Sequence, residues 1–141
     1  MNVTLPQSAT GELFAEEKTA SGGQVFLLRF DMPSAQFKSF LQWNTELPQR
    51  LEPDLKAAKK MRELGRNVKW WDIDEASFKE HGEIVGTEGP LYGPKPDPLS
   101  YNWEIHILVT EPAKDVSRVY VLKLREPIRD AASTQSQPAP K

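Results

Sequence analysis

The chain contains no cysteine. That excludes disulfides, thiolate nucleophiles, iron–sulfur clusters and cysteine-type zinc sites, and it leaves the compartment open, because cytosolic and periplasmic proteins alike can lack the residue. Histidine is almost as scarce, with only His81 and His106. No GxSxG pattern accompanies them, so serine catalysis has no support. Phosphate-loop patterns are missing too: the stretch 86–93 holds neither GxxxxGK[ST] nor a GxGxxG that opens a helix. No run approaches the roughly 18 apolar residues of a membrane-spanning helix. The opening MNVTLPQSATGELF has neither a basic n-region nor an apolar h-region. The expectation is a soluble chain with no membrane span, cytoplasmic by default and periplasmic or secreted if a leader has been trimmed. Neither sign of charge dominates, with 18 basic and 20 acidic side chains and a net charge of −2. The global electrostatic case for nucleic acid is thereby removed.

What is present fits one modest core. The 141 residues, 38% of them hydrophobic, suit a single domain. Residues 1–10 lack periodicity, and Ala131 to Lys141 (AASTQSQPAPK) is small and polar. The reading is a flexible tail over 1–10, one domain over 11–128 and a disordered tail over 129–141. A hairpin is expected from Gly11 to Asp31 around Ser21-Gly22-Gly23, with Phe26, Leu28 and Phe30 on the core face and Val25, Leu27 and Arg29 meeting solvent or a partner. Pro33-Ser34 predicts a helix start with Ser34 as N-cap. A second helix should run from Pro53 to Gly65, the glycine closing it in a left-handed conformation. Asp72-x-x-Glu75 predicts a short helix ending at His81-Gly82. Glu83 to Thr87 then reads as a short strand, and Gly86 to Pro98, with three Gly and four Pro, as a long loop. Two strands close the chain. In the first, Tyr101, Trp103, Ile105, Ile107 and Val109 alternate with polar residues, and Arg118 to Arg125 is the second. The order β-β-α-α-β-β-β predicts an α+β fold with a single antiparallel sheet of about five strands and helices packed on one face.

Three groups of residues could carry function. Adjacent Trp70 and Trp71 cannot both face a core if locally extended, so one of them, with Leu91 and Tyr92 of the proline-rich loop, is expected to make an aromatic contact surface. Glu104 and His106, on the polar side of their strand, join this surface, His106 as a side chain able to titrate near neutral pH. The leading reading is therefore a non-catalytic binding domain for a protein partner, with no cofactor. The second group is basic: Lys56, Lys59, Lys60, Arg62 and Arg66 cluster on one face of the second helix, within a stretch (51–70) of net charge +3. They allow an alternative reading as a nucleic-acid module, which the net −6 of residues 71–104 opposes. The third is Asp72, Asp74, Glu75 and His81, weak candidates for a metal-assisted hydrolase. Ser77 stands where a calcium loop needs glycine, and no HExxH occurs, so helix capping is the stronger reading of these residues.

Overall fold

A computed structural model describes residues 3–89 and 100–128. Five strands, β1 (Thr10–Lys18), β2 (Gln24–Pro33), β3 (Phe78–Glu88), β4 (Tyr101–Ala113) and β5 (Val116–Pro127), and two helices, α1 (Phe37–Trp43) and α2 (Leu55–Leu64), make an α+β fold. The strands form a single antiparallel sheet in the order β1-β2-β5-β4-β3. Local chemistry sets the tight turns. Gly22, at φ 89°, takes the left-handed position between β1 and β2, and Asp115, at φ 62°, does the same between β4 and β5.

Because successive side chains on a strand point to opposite faces, the sheet presents two apolar layers. One holds Val25, Leu27, Leu108, Tyr120 and Leu122, packed against Ala58 and Met61 of α2 and against Trp71 and Ile73. The other holds Leu28, Phe30, Met32, Ile107, Val119 and Val121, closed by Phe40 and Leu41 of α1 and by Leu47. The Phe30 and Phe40 rings meet edge to face at 5.2 Å. The face of Val25 and Leu27, expected to meet solvent or a partner, is thus covered, with Leu27 fully buried. On β4 the expected alternation gives way to burial on both sides from His106 to Thr110, since helices flank the sheet there. Trp103, expected inside, is only half-buried.

Four local expectations are corrected by packing. Residues 3–9 are not a tail: Val3, Leu5 and Ala9 pack on the α1-side layer, and Asn44 ties the segment down by accepting from Thr4 N (2.6 Å) and donating to Thr4 O (2.9 Å). Ser34 does not cap a helix. Its hydroxyl pairs with Ser117 at 2.8 Å, and a single 3₁₀ turn (Ser34–Gln36) precedes α1. Gly65 closes α2 at φ −110°, outside the left-handed region, so its lack of a side chain serves packing and not the turn. The helix expected between Asp72 and Gly82 shrinks to one 3₁₀ turn (Glu75–Ser77), because Phe78 onward finds the β4 ladder and its hydrogen bonds.

Candidate functional site

The site forms where α2 overlies the outer half of the sheet. Asp54 starts α2 as its N-cap, its carboxylate accepting from Lys56 N (3.1 Å) and Ala57 N (3.3 Å). The segment before it straps across the edge of the sheet: Glu52 and His81 exchange two backbone hydrogen bonds of 2.8 Å. Gly82 makes this possible, since a Cβ there would lie 2.7 Å from Arg50 O and 3.0 Å from Pro48 Cβ. Between strap, helix and sheet lies a cavity of about 580 Å³. Arg50, Lys56 and Lys60 line it with positive charge and Glu52, Asp54 and Glu83 with negative, and His81 and His106 complete the polar lining.

The register explains how the polar groups meet. Glu104 and His106 are two residues apart on β4 and share a face, and β3 places Glu83 directly opposite His106. His106, 1% exposed, is held at both ring nitrogens. Its Nε2 lies 2.8 Å from Glu104 Oε1, and its Nδ1 lies 2.9 Å from Nε2 of the buried His81. Glu83 Oε2 is 3.7 Å from the same Nε2, and Lys60 reaches down from α2 to within 3.1 Å of Glu104 Oε1. The oxygens of Glu83 and Glu104 and a nitrogen of His106 all lie within 4.8 Å of one another.

The electrostatics order the protons. Burial raises the cost of ionising Glu104, but the hydrogen bonds from His106 and Lys60 overcome it and hold its carboxyl below the usual range. An ionised Glu104 accepts from His106 Nε2–H and from Lys60, and the other ring nitrogen of His106 shares one proton with Nε2 of His81. His81 is pushed down to about 4, first by burial and then by the neighbouring His106, with Asp54 opposing. At neutral pH His81 is therefore an uncharged imidazole at the floor of a charged cavity.

Compared with protein-family models, curated proteins and solved structures, the chain finds no match.

The structure brings together one of the three expected groups only in part. Glu104 and His106 are hydrogen-bonded neighbours, and His106 lines the cavity. Trp71, 2% exposed, is in the core, where its Nε1 donates to Met61 O at 2.8 Å, so it offers no contact surface. Trp70 is half-buried against the same layer, and Leu91 and Tyr92 lie outside the described residues. Of the basic face, Lys60 pairs with Glu104, Arg62 with Glu75 and Arg66 with Glu63, while Lys56 lines the cavity and Lys59 is exposed. The acidic candidates are engaged separately. Asp72 pairs with Arg29 at 2.6 Å, Asp74 caps the 3₁₀ turn by accepting from Ala76 N, Glu75 holds Arg62, and His81 faces His106. Sequence reasoning missed Glu83 and the His81–His106 contact because Glu80 to Gly82 read as a helix end. An inward-facing Glu-x-His pair on β4 was the available signal.

Proposed function

We propose that the protein is a binding domain whose site is the cavity between α2 and β3, and that it takes a small ligand bearing charges of both signs. The observation that carries this is the lining itself: three cationic and three anionic side chains face one space of about 580 Å³ over a buried histidine pair. That volume suits a small molecule. A lining that carries both signs of charge favours a ligand whose own charges are separated, since each of its charges then finds a complement. Of the aromatic residues in the sequence reading, Trp71 supports the core and offers no contact surface. No helix among the described residues is long and apolar enough to cross a membrane. A thermal-shift panel of free amino acids, dicarboxylates and diamines in metal-depleted buffer tests the ligand class. Zwitterions should raise the melting temperature, and Lys56→Glu should abolish the rise. A panel without any shift at millimolar concentration would overturn the reading.

A further inference from the structure

The geometry points to a divalent transition-metal site at the cavity floor, with Glu83, Glu104 and Nε2 of His106 as protein ligands and His81 as the residue that orients His106. It rests on the cavity being a binding site, and it names an inorganic ligand for one end of it.

The distances argue first. Zinc bound tetrahedrally at roughly 2.0–2.2 Å from nitrogen and oxygen sets its ligand atoms about 3.3 Å apart. Around His106 Nε2 the two carboxylate oxygens stand at 2.8 and 3.7 Å, on either side of that separation. Small side-chain adjustments would open a place for an ion, and the fourth position would face the cavity. The ligand set argues next: one imidazole and two carboxylates suit zinc or manganese better than calcium, which takes six to eight oxygens. Thirdly, the buried imidazole is already fixed through its other nitrogen, as metal-bound histidines usually are. Lys60 Nζ, 3.1 Å from Glu104 Oε1, shows that this floor already attracts a cation. Its ammonium group competes with a metal for the same carboxylate.

Proton bookkeeping gives the proposal a signature. Without metal, His106 carries a proton on Nε2, where it faces Glu104. With metal on His106 Nε2, that nitrogen must supply a lone pair, so it carries no proton, and His106 is protonated on Nδ1, from which it donates to His81 Nε2. Nε2 of His106 thus changes from a protonated to a metal-bound nitrogen.

Long-range ¹⁵N NMR of the full chain reads this directly, because the chain has two histidines only. Titration with ZnCl₂ should saturate at one equivalent and convert Nε2 of His106 from a protonated to a metal-bound nitrogen. Glu83→Gln, at an exposed position, should weaken zinc about tenfold with an unchanged melting temperature, and Lys60→Met should tighten it several-fold. Histidine signals that stay in place at tenfold excess Zn²⁺ would overturn the inference, as would Lys60→Met leaving the affinity unchanged. If zwitterions bind while zinc leaves the histidines unmoved, the metal site falls and the cavity reading stands. If zinc binds His106 Nε2 and no zwitterion binds, the metal site stands and the mixed-charge ligand falls.

Discussion

Gly65 lies against the indole of Trp71 so closely that a Cβ on the glycine would overlap ring atoms Cδ1, Cγ and Nε1. The ring cannot retreat freely, since Nε1 donates to Met61 O and the ring meets Tyr120 edge to face at 5.3 Å. Alanine at a glycine of ordinary negative φ usually stabilises a chain by reducing unfolded-state freedom. Here the overlap should win, and Gly65→Ala should lower stability by roughly 1–3 kcal/mol. Urea unfolding reads the sign, and a gain in stability would show that the indole can shift.

Trp71→Ala should remove the largest side chain joining α2 to the sheet and leave a cavity, at a cost of roughly 3–5 kcal/mol. Trp70→Ala, at a half-buried position, should cost clearly less. Equal losses in a urea titration would contradict the assignment of Trp71 to the core and Trp70 to its margin.

His81 makes stability depend on pH in metal-depleted buffer. Its folded-state value of about 4 lies below the ordinary 6.5, so between these values the unfolded chain binds a proton that the native chain refuses. Stability is complete above about pH 6.5 and drains as pH falls toward 4, by roughly 2–3 kcal/mol. Glu104, also held low, adds to the loss in the same direction at still lower pH. Urea midpoints measured from pH 7.5 to 4 should show the slope, and His81→Gln should flatten it.

Arg118 and Asp31 face each other across β5 and β2 with two hydrogen bonds of 2.8 and 3.0 Å. These bonds raise the guanidinium well above its ordinary range. The pair is partly exposed, so Asp31→Asn should cost only about 1 kcal/mol, and less in high salt. A loss insensitive to salt would mean that packing and not charge is what the aspartate supplies.

Much of the architecture was legible because it is written in local pattern. Ser21-Gly22-Gly23 marks the first hairpin, and the period-2 alternation around Ile105 and Ile107 marks β4. The five strands follow from these signals. The burial of both sheet faces was not legible, because Arg29 beside Leu27 suggests an outward face, and only the tertiary fold shows its guanidinium turned to Trp70 O and Asp72. The site was legible in halves. Glu104 and His106 share a face by their spacing, but Glu83 and His81 join them through a strand pairing 23 and 25 residues away from His106, and no local rule carries that register. His81 was further hidden because the capping residues Asp72 and Glu75 suggested a helix continuing over it.

The strap that crosses β3 at His81 also bears on how copies of the chain behave toward one another. Of the two outermost strands, β3 has its outer rim engaged at one point by Glu52, and the stretch from Glu83 onward carries Glu83 and Glu88. The opposite rim, β1, carries Glu12, Glu16 and Glu17. Molecules meeting rim to rim would set carboxylates against carboxylates, a repulsion that discourages strand addition and the fibrillar growth to which unprotected sheet borders are prone. The same residue pair that braces the cavity floor therefore also shortens the length of backbone open to unwanted self-association.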